Sequence, residues 1–315
     1  MATAVNLGIG ILQVHLLLRW WGPEAYAGWM VVLAAIAMLG SLDYGQSVYF
    51  GNEFMRLEIR QPNAAKIILS SGVWCASALA VVELILAAIW IFAAPTTLGG
   101  AGGSPEGTWI GALFIHLGYW AVLGAPAGMA AKLYLPAGLF SRLSWVMTLQ
   151  RLVGFGCLLG AVHGRMSVAA AMAAQCLGWS AVHLWMLADL RRTFPLFYPF
   201  WKGARIAIAW KNFIRSLPLS LASGFQQCAS NGLLLLAAVF LPGSQIAVFA
   251  ALRTAANLVM QGSTVLIHPL MPEFMRYHET RAGSKLCNSI RAAWLIGTTV
   301  TCLGLAVGLP WAQFL

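Results

Sequence analysis

Long apolar stretches separated by short polar connections set the pattern of this chain. Runs of about twenty mostly apolar residues, enough to cross a bilayer as a helix, lie near 2–18, 26–50, 66–95, 108–131, 143–162, 167–188, 216–240, 245–270 and 292–312. Segments of about ten residues that alternate apolar and polar positions, the mark of a transmembrane β-barrel, are missing. The pattern predicts an all-α polytopic membrane protein with about nine transmembrane helices. Segment 195–215 mixes bulky apolar residues with Lys and Arg. It reads as an amphipathic helix lying on the membrane surface, against the plainer expectation of a loop.

The connections differ in charge. Those after the first, third, fifth and seventh spans are short or Gly-rich: Trp20-Trp21-Gly22-Pro23-Glu24, residues 96–107, His163-Gly164-Arg165 and Pro242-Gly243-Ser244. They carry only Arg19 and Arg165, whereas the other set holds nearly all the remaining basic residues, among them Arg56, Lys132, Arg191, Arg192, Lys202 and Arg276. Basic loops stay in the cytoplasm. The expected orientation therefore places the N-terminus and the basic connections inside.

Composition changes this picture little. Of the 315 residues, 60% are hydrophobic and 9% charged, far below the roughly 25% charge of soluble domains. The net charge of +10 does not point to nucleic acid, because the basic residues lie between apolar segments rather than on one polar face. Six cysteines are widely spaced, with no CxxC pair, so neither a disulfide framework nor a zinc site is expected. HExxH, GxSxG and any Gly-Lys phosphate loop are absent. The chain is thus read as a non-enzyme that needs no cofactor or metal.

An internal repeat organises the spans. Glu53-Phe54-Met55-Arg56 follows the second span, and Glu273-Phe274-Met275-Arg276 follows the eighth, 220 residues later. At the same offset Gly22-Pro23 faces Pro242-Gly243. Six spans, an even number, separate the copies, so both keep one orientation, as in two-lobed transporters with a parallel repeat. The predicted domains are a six-helix membrane lobe over 1–194, an amphipathic cytoplasmic linker over 195–215 and a partial second lobe of three helices over 216–315. Gly124-xxx-Gly128, Gly156-xxx-Gly160 and Gly304-xxx-Gly308 predict close helix packing.

Polar groups inside spans cost free energy and need a reason to be there. Arg253, Asn257 and Gln261 fall at i, i+4 and i+8, on one helical face, which predicts either a water-accessible path or a hydrogen-bonded seam. Gln227 and Asn231 share a face, with Gln226 and Ser230 beside them. Arg19 closes the first span, and Asp43 lies deep in the second. Either one serves function or simply snorkels or pairs. Glu83 and His116 read as isolated, packed neutral groups.

Arg19-Trp20-Trp21-Gly22-Pro23-Glu24-Ala25-Tyr26-Ala27-Gly28-Trp29, continued by Leu39-Gly40-Ser41-Leu42-Asp43-Tyr44-Gly45, resembles the opening of bacterial polysaccharide flippases. These belong to the multidrug/oligosaccharidyl-lipid/polysaccharide exporter superfamily. The stretch 226–276 is similar to the same family. The resemblance implies a transporter of the bacterial inner membrane that flips a lipid-linked glycan by alternating access. Expected partners are the lipid-linked glycan, membrane lipids, and a glycan polymerase with glycosyltransferases. It also implies that Arg253, Asn257, Gln261, Arg19, Asp43, Gln227 and Asn231 bind the substrate, arginines meeting pyrophosphate oxygens and amides meeting sugar hydroxyls. Export of negative charge from a negative interior gains about 2.3 kcal/mol per charge per 100 mV. Family members commonly have twelve or more helices, so the second lobe reads as incomplete. Three readings compete: a multidrug cation exporter of the same superfamily, a membrane-embedded glycan polymerase or glycosyltransferase, and a truncated fragment.

Overall fold

A computed structural model describes residues 2–58, 62–93, 107–267 and 283–312. Helix covers the described residues of the predicted spans except for a turn at Gly40 and the cap residue Ser167, and among the described residues no strand occurs. The first helix, α1 (Ala2–Leu39), runs through both sides of the expected first hairpin and bends at Gly22. Gly22 has φ 83° and ψ 171°, a backbone conformation that a residue with a Cβ adopts only under strain. Pro23 follows at a point where a helix restarts without needing its N–H. A turn at Gly40 leads to α2 (Ser41–Glu58), so the predicted second span is interrupted just before Asp43.

Then come α3 (Pro62–Ala93), α4 (Gly107–Tyr119), a π turn (Trp120–Gly124) and α5 (Ala125–Ala130), which ends in a 3₁₀ turn (Ala131–Tyr134). Next are α6 (Phe140–His163) and α7 (Val168–Thr193), the latter capped by Ser167, whose Oγ accepts from the Ala170 N–H. The helix α8 (Ile206–Gln227) passes through a second π turn (Cys228–Gly232) into α9 (Leu233–Phe240). The last two are α10 (Gly243–Ile267) and α11 (Gly283–Ala312). Among the described residues, four segments, Gly8–Leu39, Pro62–Phe92, Trp109–Tyr134 and Phe140–His163, are long and apolar enough to cross a membrane by length and composition alone.

Two compact units are present: Met1–Leu16 with Val248–Leu315, and Leu17–Ala247. Within the second, α2 packs on α3 and α8, and α7 on α4 and α6. Its core runs through Phe50 and Phe54 of α2, Leu69, Val73 and Ala76 of α3, Met129 of α5, and Met186 and Leu190 of α7. Tyr134, fully buried, donates from Oη to Asp189 Oδ2 at 2.6 Å, and Arg142 pairs with the other carboxylate oxygen.

The sides of α3 reveal the solvent it was built for. Trp74, Val81, Val82, Ile85, Leu86, Ile89 and Phe92 are exposed, whereas Ser70, Ser71, Ala76, Ala80, Glu83 and Ala87 are buried. From Trp74 onward, large apolar groups lie outside and small or polar groups inside, which inverts the arrangement of a soluble helix and suits one that meets lipid.

Two packing expectations fail. Segment 195–215 is not one amphipathic helix: Pro195–Phe197 forms a 3₁₀ turn, an irregular strap follows, and α8 begins at Ile206. The strap is stapled to α3 instead. Lys66 Nζ donates to the Leu196 carbonyl at 2.7 Å, Trp74 Nε1 to the Trp201 carbonyl at 3.1 Å, and the Arg205 N–H to Ser71 Oγ at 3.0 Å. These bonds satisfy backbone groups that a helix would have satisfied internally. Of the small-residue motifs, Gly128, Gly156 and Gly160 face open space, and a Cβ on Gly124 would run first into the Trp120 ring of its own segment. Close approach occurs at Gly45 instead, against the backbone of Leu219 and Ser220. The Gly304 and Gly308 side positions, residues 96–106 and the repeat copy Glu273-Phe274-Met275-Arg276 lie outside what is described.

Candidate functional site

The turn at Gly40 starts α2, and Asp43 falls in its first turn, where the helix dipole favours an anion. Ser41 Oγ donates back to the Met38 carbonyl at 2.7 Å, tying the turn to α1. Asp43 is buried, and its Oδ1 has no hydrogen-bond partner among the described residues. One turn further, Gln46 is fully buried with neither end of its amide satisfied there.

A cleft of about 380 Å³ opens beside Asp43, lined also by Ser41, Tyr44, Ser47, Trp120, Gly128, Lys132, Ser223 and Gln227. Its walls come from α2, from the irregular end of the fourth span and from α8. Lys132 is half-buried, and its charge acts on Asp43. Its stem packs beside Gly51: a Cβ there would lie in ordinary contact, 3.4 Å from Lys132 Cδ. Both π turns border this region, and such bulges commonly appear where a helix departs from regularity for function. At the second, Asn231 Nδ2 donates to Gln227 Oε1, and the Ser230 hydroxyl bonds the Gln227 carbonyl at 3.4 Å.

Glu83 is not isolated. It is fully buried on α3, its carboxylate approaches the Asp43 backbone, and it feels the Asp43 charge. Neither oxygen makes a well-formed hydrogen bond among the described residues. The Asp43 carboxyl at the cleft, with the Glu83 carboxyl and the unsatisfied Gln46 amide outside its lining, is a costly arrangement to bury without a task. His116 instead packs against the rings of Tyr119 and Trp179, with centroids at 6.1 and 5.6 Å. The neighbouring His183 Nδ1 shares a hydrogen bond of 2.8 Å with Tyr119 Oη.

Of the residues singled out in the sequence, Asp43 and Gln227 line this one cleft, and Asn231 holds Gln227. Arg19 is exposed on α1 and is not among the lining residues. Arg253 and Asn257 are half-buried on α10, within the smaller unit, and Thr254 beside them donates to the Ala250 carbonyl at 2.8 Å. Gln261 lies on the same helix, but its side chain is outside what is described. Sequence reasoning missed Lys132, Trp120, Ser223 and Gln46. A lysine between two spans has an ordinary reading as a loop charge, and no spacing rule joins Lys132 to Asp43 across 89 positions. Among the described residues no group of three or more His, Cys, Asp or Glu is gathered as for a metal ion.

No protein-family model matches the chain, and no curated protein matches its sequence. Solved structures do resemble it. The MATE multidrug transporter DinF-BH, solved as a complex, is similar at a TM-score of 0.69 and 16% identity, over 98% of this chain and 69% of that one. An inward-facing multidrug resistance MATE family transporter of the MOP superfamily is similar at a TM-score of 0.68 and 17% identity, with the same coverage. At such identities the likeness establishes architecture, and the chain has the all-α polytopic membrane fold of the MATE multidrug transporters.

Proposed function

We propose that the protein is a transporter that moves a lipid-linked oligosaccharide or polysaccharide precursor across the bacterial cytoplasmic membrane. The carrying observation is the cleft of Asp43, Lys132, Ser47, Ser223 and Gln227 set within a membrane-spanning scaffold. An ammonium group binds phosphate oxygens as a point charge. Amide, hydroxyl and carboxylate groups match the many hydroxyls of a sugar. Alternating access between a six-helix lobe over 1–194 and a partial lobe over 216–315 moves the headgroup while the lipid tail stays in the bilayer. Arg253, Asn257 and Gln261 supply the second lobe's polar contacts. Glycan polymerase and glycosyltransferases would make and consume the cargo.

The decisive assay uses vesicles holding the purified chain and a fluorescent lipid-pyrophosphate oligosaccharide, scored by how much label becomes accessible on the far leaflet. Arg253→Ala is expected to slow this movement roughly tenfold or more, the loss that follows removal of a charge-assisted hydrogen bond of about 1.5–3 kcal/mol. Wild-type movement by the folded variant would remove Arg253 from the binding set.

A second reading, export of lipophilic cations, draws on the buried Asp43 carboxylate beside the Trp120 and Tyr44 rings and on the fact that both similar structures are of multidrug transporters. A cationic dye in the same vesicles separates the two. Dye movement without glycan movement would replace the glycan reading.

The proposed orientation has its own test. In a cysteine-free background, cysteine at position 165 should react with an impermeant reagent from the periplasmic side, and cysteine at position 202 only after the membrane is opened. Both positions are exposed in turns at opposite ends of α7. The reverse labelling pattern would invert the topology.

A further inference from the structure

A second depression, of about 640 Å³, lies apart from the Asp43 cleft and shares none of its lining residues. Its floor is apolar, built from Val73, Leu123, Pro126, Ala127 and Leu187. Arg191 and Arg192, in the last turn of α7, stand at one end together with Tyr198 and Trp201 of the strap. Its size falls within the roughly 300–1,000 Å³ of ligand-holding cavities.

We infer that this groove binds one anionic phospholipid of the surrounding bilayer, its phosphate between Arg191 and Arg192 and an acyl chain along Val73, Leu123 and Leu187.

Charge is the first argument. Among the described residues, the lining contains two guanidinium groups and no carboxylate. The nearby Asp189 is already engaged by Tyr134 and Arg142. The Arg191 guanidinium lies 4.6 Å from the centre of the Tyr198 ring, which fixes it in place and leaves its N–H edge for an anion.

Polarity along the groove is the second. Val122, which lines it, is 81% exposed, and Trp201 is 53% exposed. A groove with an apolar open side and a cationic end of helix suits an amphiphile better than a soluble anion. Trp and Tyr sit where headgroups meet hydrocarbon, and basic pockets between membrane helices select anionic headgroups.

Construction is the third. The strap that forms one wall is held to α3 by the Lys66, Trp74 and Ser71 hydrogen bonds and anchored by buried Phe197 and Phe200. The wall is therefore set before any lipid arrives, which reduces the ordering cost of binding.

Lipid retention by the purified full chain, followed by native mass spectrometry with phosphatidylglycerol and phosphatidylcholine of identical chains, tests the inference. Phosphatidylglycerol should bind more tightly. Arg191→Ala with Arg192→Ala should weaken it roughly thirtyfold, the product of about fivefold for each basic group near a surface. Arg151→Ala, an exposed arginine on α6, should leave it unchanged. Val122→Trp keeps both arginines, projects from an exposed position and fills the groove, so it should weaken binding of the same lipid without loss of thermal stability. Equal retention of both lipids, or unchanged phosphatidylglycerol binding in either groove variant, would overturn the assignment. So would full competition by inorganic phosphate, which would make the arginines a phosphate site without a lipid.

Discussion

Lys132→Ala is expected to slow substrate movement roughly ten- to a hundredfold, by loss of one charge-assisted contact, and to lower thermal stability as well. Asp43→Asn added to it should restore the stability but not the movement. The reasoning starts from burial. Asp43 is buried with Oδ1 lacking any hydrogen bond among the described residues, and Lys132 is the cation that acts on it. Asp43 and Lys132 are near enough for their charges to act on each other without forming a salt bridge, so the loss stays below the about 3–5 kcal/mol of a broken buried ion pair. The cleft admits water and Lys132 is only half-buried, so about 1–3 kcal/mol is the expected range here. Replacing the carboxylate by an amide removes that charge, and the double variant should then be more stable than Lys132→Ala alone, a coupling read from a double-mutant cycle. Additive losses in thermal unfolding would show that the two groups do not sense each other. Unimpaired movement by folded Lys132→Ala would exclude the ammonium from the cargo path.

The all-α membrane fold was legible because each span writes itself in about twenty consecutive positions. On α3 even the lipid-facing side is visible in retrospect: the bulky residues from Trp74 to Phe92 recur at helical spacing opposite Ser70, Ala76 and Glu83. The apolar character of the whole span hid that division, since both faces count as apolar. Irregular backbone was harder to foresee. The strap at 195–205 owes its shape to Lys66, Ser71 and Trp74, residues more than a hundred positions away, while its own sequence resembles a helix. The same holds for the site. Asp43 and Gln227 stood out as polar groups within apolar runs, and both line the cleft. Lys132 did not, because a lysine at a span's end has an ordinary explanation in the positive-inside rule. Only the fold brings it into the lining of the same cleft as Asp43.

Gly45→Val should prevent stable folding, and it sets a position that no spacing rule marked against one that such a rule did mark. A Cβ at Gly45 would run into the backbone of Leu219 and Ser220, and backbone cannot swing aside as a side chain does. The contact closes the packing of α2 on α8, where Asn212, Ser216 and Ser220 form a buried row of small or polar residues at helical spacing. Ser220 Oγ donates there to the Leu42 carbonyl at 3.2 Å. Small residues let membrane helices approach closely, and their packing replaces the hydrophobic drive that lipid removes. Overpacking costs about 1–3 kcal/mol where neighbours can adjust; here α8 itself must shift, and Ser223 and Gln227 on it would leave the cleft. Gly45→Ala is expected to show the same effect in weaker form, as reduced recovery of monodisperse protein in detergent and a lower unfolding temperature. Gly156→Ala, at an exposed site with nothing within 4 Å of the new methyl group, should be neutral or slightly stabilising, since alanine favours helix over glycine by about 0.5–1 kcal/mol. If Gly45→Ala matched Gly156→Ala in recovery and unfolding temperature, the close crossing of α2 and α8 would not be what holds the cleft together.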